Sequence, residues 1–186
     1  MRNFDYTKLA QQKWDAEILS YVAKIHEYKG RQDLYVRQKP VELSRLVEVA
    51  RIQSTEASNK IEGIVTTSTR MKQLVSDKTT PRNRDEREIM GYRDVLNTIH
   101  ESHAFIPLRP AYILQIHRDL LKRTGLSYGG SFKNVQNYIN ETRPDGSQVT
   151  RFTPVAPHET PAAIEAICSS YARALALEVI DPLILI

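Results

Sequence analysis

Glu56-Ala57-Ser58-Asn59-Lys60-Ile61-Glu62-Gly63 is the stretch on which the fold turns. Helix-compatible residues run from Pro40 to Glu62, and Gly63 stands where a helix stops by turning left-handed. Ser58 and Glu62 are four residues apart and so share one helix face. Glu62 falls in the last turn, where the helix dipole disfavours a carboxylate by roughly 0.3–1 kcal/mol. A carboxylate placed there gains most when a cation from elsewhere meets it. The plain alternative is a solvated Glu ahead of a glycine cap.

Working towards the N-terminus, Leu43, Leu46, Val47, Ala50, Ala57 and Ile61 form the expected buried stripe of this helix, which Pro40 opens. Arg31 to Lys39 is expected to be a basic loop. Before it, Trp14, Ile18, Tyr21, Val22 and Ile25 recur at helical spacing, which predicts an amphipathic helix from about Asp15 to Lys29, stopped by Gly30.

Towards the C-terminus, the Thr66-Thr67-Ser68-Thr69 cluster supplies N-cap candidates for a short helix carrying Met71, Leu74 and Val75. Asp77 to Arg84 is polar, contains Pro81, and reads as a loop. Asn83 and Glu86 have capping-box spacing and open a helix with Ile89, Val95, Leu96 and Ile99. After the break from Ile106 to Pro110, Ala111 to Arg123 carries Ile113, Leu114, His117, Leu120 and Leu121, with Gly125 as the stop. No ligand-type residue stands beside His117 at metal spacing, so it reads as a hydrogen-bonded packing histidine.

The pattern changes after Gly129-Gly130. Two β-prone runs flank Pro144-Asp145-Gly146, which is turn chemistry, and a β-hairpin is expected. Thr160-Pro161 starts a further helix with Ile164, Ile167, Cys168, Tyr171 and Leu175 inward. Cys168, on that stripe, reads as core packing rather than a nucleophile. Asp181-Pro182 is an N-cap and N1 pair followed only by Leu183-Ile184-Leu185-Ile186. One apolar turn nucleates poorly, so the chain reads as truncated, its last turn a stub lacking partners.

Composition excludes several function classes. The 186 residues suit one domain with a core and a small helical preface. No apolar run reaches the ~20 residues of a membrane span, and the start of the chain has no signal core. The single cysteine excludes an internal disulfide and a cysteine metal site, and a cytoplasmic location is expected. The net charge of +4 is dispersed among acids, which argues against a nucleic-acid binder.

Ser58 to Gly63 fits the inhibitory pattern (S/T)-x-x-x-E-(G/N) of Fic-family proteins, the protein adenylyltransferases. Ala57 to Thr67 is similar to the family's SSxIEGI-x-T region, and Ile113 to Leu121 to its l-x-x-H-x-x-L helix. Gly130 to Ile139 (GSFKNVQNYI) resembles G-x-(F/Y)-R-x-x-Q-x-x-I, which leads into the target-docking hairpin called the flap. Lys133 stands where Arg is usual and Tyr138 where Trp is common; Lys does not reproduce a bidentate Arg contact. The signature H-x-F-x-(D/E)-G-N-G-R-x-x-R is not among these residues, so no catalytic residue and no metal ligand is assigned to this chain.

The resemblance implies a mainly all-α, Fic-type bundle with one β-hairpin flap. Residues 1–80 would be the N-terminal region, with the inhibitory helix at about 54–63. Residues 81–186 would be the first part of the Fic core, with the flap at about 131–153. In the family, AMP passes from ATP, with Mg²⁺, to a Ser, Thr or Tyr hydroxyl of a target protein. The signature His is the base, and the second signature Arg clamps the γ-phosphate. Glu62 would pair with that Arg and deny it to ATP, Gly63 would end the helix, and Ser58 would support it. Ile139, Asn140, Glu141 and Thr142 would run beside the nucleotide and present backbone to an extended target. The alternative for the hairpin is a structural cover for the core. The alternative for the whole chain is a non-catalytic helical module or a degenerate gene product. ATP and Mg²⁺ are expected to bind firmly only to a complete family member, and homodimer formation is left open.

Overall fold

The computed structural model describes residues 5–38 and 40–186. It is mainly α-helical with one β-hairpin. The helices are α1 (Ala16–Gln38), α2 (Pro40–Ile61), α3 (Ser68–Val75), α4 (Arg84–Ser102), α5 (Pro110–Leu121), α6 (Thr160–Ala176) and α7 (Pro182–Leu185). Strands β1 (Ile139–Thr142) and β2 (Gln148–Phe152) pair antiparallel. Among the described residues, no helix is long and apolar enough to cross a membrane. The chain divides into two compact units, one of residues 11–102 with 120–125, the other of residues 5–10, 103–119 and 126–186.

The core of the first unit is Met71, Leu74 and Val75 of α3 against Ile89 and Met90 of α4, with Ile52 and Ile64 packed on it. Thr67 caps α3 by accepting from the Arg70 amide at 3.3 Å, so the Thr/Ser cluster does what its composition predicts. Asn83 caps α4 through the Glu86 amide at 2.9 Å. The other half of the expected capping box is redirected. The Glu86 carboxylate accepts from the Arg82 amide at 2.7 Å and from Arg70 through both oxygens, each at 2.8 Å. Arg70 also reaches the Thr79 hydroxyl and the Thr80 carbonyl, so one guanidinium ties α3, the 76–83 loop and α4 together.

Two helix expectations need correction. Helix α1 does not stop at Gly30; it continues to Gln38, so the expected basic loop is helical over its described residues. A helical Gly costs about 1 kcal/mol, which good helix formers on both sides offset. Arg31 reaches back to Glu27 at 2.5 Å and lies over the Tyr28 ring. The Gly30 position is open, with nothing within 4 Å of an added Cβ.

Helix α2 presents the opposite face from the one expected. Leu46, Val47, Ala50 and Ala57 are exposed and Ile61 is 84% exposed, whereas Thr55 and Asn59 are buried and Ile52 is half-buried. Ile52, Thr55 and Asn59 recur at intervals of three and four, a polar-apolar stripe about half a turn from the one apolarity picks out. Connectivity decided this: Ile64, just beyond the stop, enters the core and takes the adjacent helix face with it.

In the second unit, α6 buries Cys168, Ser170 and Ala174, while Leu175 is exposed rather than inward. Burial raises the Cys168 thiol pKa, as a packing cysteine requires. Tyr6 meets the Tyr171 ring edge-on at 5.8 Å. Asp181 caps α7 through the Leu183 amide at 2.9 Å; Leu185 is buried, so the last turn is packed and not a stub without partners.

Two outcomes follow for stability. The Arg70 contacts pull the Glu86 carboxyl down to about 2, against burial and with help from the Arg82 amide. A folded pKa below the unfolded one stabilises fully above about pH 4.5 and is lost as pH falls towards about 2. Denaturant melts from neutral pH to about pH 2.5 should show that loss in the wild type, and Glu86→Gln, less stable at neutral pH, should lack this component. Gly30→Ala should stabilise the chain by about 0.5–1 kcal/mol in the same melts, whereas a true stop at Gly30 would make it neutral or destabilising.

Candidate functional site

The end of α2 is locked by backbone bonds. The Ile64 amide donates to the Asn59 carbonyl at 2.9 Å and the Gly63 amide to the Lys60 carbonyl at 3.1 Å. With Gly63 at φ +76°, this is a complete Schellman turn. The buried Asn59 side chain adds a bond from its Nδ2 to the Thr55 carbonyl at 2.8 Å. The Glu62 backbone is therefore held from both sides, while its side chain is exposed and has no ion pair among the described residues.

Ser58, one turn earlier, accepts a hydrogen bond from the Tyr92 hydroxyl of α4 at 2.9 Å. A cavity of about 480 Å³ opens here, lined by Ser58, Asn59, Glu62, Glu88, Tyr92 and Leu120 among others. Glu88 is engaged by Arg84 Nε at 2.7 Å, which leaves Glu62 as its carboxylate without a charged partner among the described residues. One wall depends on Gly91, where a Cβ would lie 2.1 Å from the Leu120 carbonyl oxygen. Only a glycine lets α4 and Leu120 come this close.

The structure thus brings Ser58, Glu62 and Gly63 together. Tyr92 and Glu88 complete the cavity without having been singled out from sequence. Tyr92 stands three residues beyond Ile89, on the margin of the apolar stripe, where an amphipathic phenol commonly sits.

Ile139, Asn140, Glu141 and Thr142 belong to the other unit and form strand β1. Gly146, at φ +82°, makes the turn, with its amide donating to the Arg143 carbonyl at 2.9 Å. Asn140 pairs with Thr150 at 3.0 Å and Glu141 with Arg151 at 2.9 Å, and a bulge lies between Ile139 and Asn140. Every residue of both strands is exposed, so the hairpin does not act as a cover for a core within the described residues. Gln136 closes its base, donating through Nε2 to the Pro154 carbonyl at 2.9 Å. His117 accepts from the Gly130 amide at 3.3 Å and lies beside the Tyr128 ring, the packing role its surroundings suggested. Gly130 itself, at φ +82°, sits against α5, where a Cβ would be 2.9 Å from that of Arg118.

No protein-family model and no curated protein matches the chain.

Among the described residues, the α2 cavity offers a free phosphate no cationic side chain. Its charged lining residues are the two carboxylates Glu62 and Glu88, which repel phosphate. What suits the free carboxylate is a cation with directional N–H donors, above all a guanidinium. The geometry of the helix end can be tested by Gly63→Ala, which has open space around it and so meets only the left-handed strain. A loss of about 1 kcal/mol is expected in thermal or denaturant melts. Tyr92→Phe should cost about 0.5–1.5 kcal/mol by removing the bond to Ser58.

Proposed function

We propose that this chain carries the inhibitory helix and the target-docking hairpin of a Fic-type protein adenylyltransferase, and that it does not itself transfer AMP. The observation that carries the reading is the Schellman-locked Glu62, whose carboxylate is exposed and unpaired among the described residues. In this reading Glu62 binds the guanidinium of the second signature arginine, supplied by a segment bearing H-x-F-x-(D/E)-G-N-G-R-x-x-R. An arginine held in that way cannot clamp the ATP γ-phosphate, so the nucleotide lies unproductively. Gly63 sets the direction in which Glu62 leaves the helix, and the Ser58–Tyr92 bond keeps that helix on α4.

Ile139 to Thr142 supply the flap. An extended target segment would add to the hairpin through main-chain hydrogen bonds and present a Ser, Thr or Tyr hydroxyl to the signature histidine of the same segment. The exposed strands and the clamp at Gln136 favour this role, since neither strand side is committed to a core. ATP and Mg²⁺ belong to the complete site. The same exposed, unpaired Glu62 serves a second reading, a helical regulatory module acting on a separate Fic core.

Both readings are tested by adding the chain in trans to a Fic core that lacks its own inhibitory helix, and following labelled AMP incorporation. The chain alone should incorporate none. In trans it should reduce incorporation at least several-fold, and Glu62→Gly should abolish the reduction. Equal incorporation with and without the chain, or equal inhibition by Glu62→Gly, would overturn the assignment of Glu62.

A further inference from the structure

Helix α1 carries a pattern that neither the fold nor the proposed inhibitory site uses. Ile18, Tyr21, Ile25, Tyr28, Gln32 and Tyr35 follow one another at alternating intervals of three and four residues. These six lie on one face of α1 over about two and a half heptads, with the a/d spacing by which helices pair. The seam is largely uncovered. No residue of α1 is buried, and Tyr21, Ile25, Tyr28 and Tyr35 are 53%, 48%, 60% and 54% exposed. Helix α2 covers it only in part, leaving a cavity of about 460 Å³ bordered by Tyr28, Arg31 and Tyr35 of α1 and by Glu42, Leu43 and Leu46 of α2.

The charges beside the seam name the partner. Asp15 and Glu17 stand at its start, and Lys24, Lys29 and Arg31 flank its second half. A copy running the other way therefore meets opposite charge, which makes the helix complementary to itself. We infer that α1 is a self-association face, pairing antiparallel with α1 of a second copy about a twofold axis beside Lys24. In this register Ile18 packs against Tyr28 of the second copy, and Ile25 against its Tyr21. Glu17 faces Arg31 and Asp15 faces Lys29 across the axis, each pair occurring twice. Within one copy Glu17 accepts from the Tyr21 hydroxyl, Arg31 pairs with Glu27 and Asp15 accepts from the Ile18 amide, so the pairing across the axis shares or exchanges these contacts. Lys24 meets its own symmetry mate, the one repulsive contact. The tyrosine rings bury their faces while their hydroxyls stay at the polar rim, that of Tyr21 donating to Glu17 at 2.6 Å. A twofold pairing closes on itself and so gives a dimer instead of a filament.

Sedimentation of the full chain across about 1–500 µM tests this, with half-association expected at about 10–100 µM. Ile25→Glu should leave a monomer at every concentration. Glu17→Arg and Arg31→Glu should each weaken association about tenfold, because two attractive pairs become repulsive, and the double variant should return to within about threefold of the wild type. Lys24→Gln should tighten association a few-fold by removing the contact on the axis. The charge variants lie on the exposed surface and keep the test valid if Ile25→Glu impairs folding. A chain that stays monomeric at 500 µM would overturn the inference. So would a dimer indifferent to Ile25→Glu, or single charge reversals that the double variant does not rescue.

Discussion

One guanidinium organises the first unit. Arg70 places two nitrogens on the two Glu86 oxygens and its remaining contacts on Thr79 and the Thr80 carbonyl. Without this fork, the loop joining α3 and α4 would have to satisfy buried polar atoms by itself. With it, Met71, Leu74 and Val75 are set against Ile89 and Met90, and the core has a floor on which Ile52 and Ile64 rest. A second arginine does similar work at the far end of α3. Arg93 donates to the Leu74 carbonyl and to Asp77 at 2.7 and 2.8 Å, so a carbonyl at the helix C-terminus finds its donor in a buried side chain from α4.

The end of α2 inherits its position from that core. Ile64 is in it, Gly63 turns left-handed just before, and Glu62 is consequently presented outward on a fixed backbone. The placement of a single exposed carboxylate is thus traceable to a buried ion pair on two other helices. This economy suits an inhibitory element, because the side chain that must meet an incoming guanidinium is free to turn while the Schellman bonds fix the direction in which it leaves α2.

Much of this was legible in sequence where the signal was local. Caps at Thr67, Asn83 and Asp181, the stop at Gly63 and the turn at Asp145-Gly146 depend on side chain-to-backbone bonds or on φ, and each occurs where its residue type demands. What failed was non-local. Gly30 has the local signal of a stop because a glycine outweighs its neighbours in a short window, although the helix on both sides carries it through. The apolar stripe of α2 points to one face as buried, but which face turns inward is decided by the chain beyond Gly63. The cavity residues Tyr92 and Glu88 carry no motif; only the crossing of α2 over α4 brings them to Ser58 and Glu62.

The inverted face of α2 has a consequence for how the helix moves. Its inward contacts are made largely by Thr55 and Asn59, and the Thr55 hydroxyl is buried with no hydrogen-bond partner. Opening an apolar interface exposes oil to water, but opening this one lets an unpaired hydroxyl recover a bond to solvent. The free energy of lifting α2 from the core is lowered by that recovery, whereas α3 and α4 stay fastened by Arg70 and Arg93. The helix that bears Glu62 is therefore held on its core less firmly than α3 and α4 are held to each other.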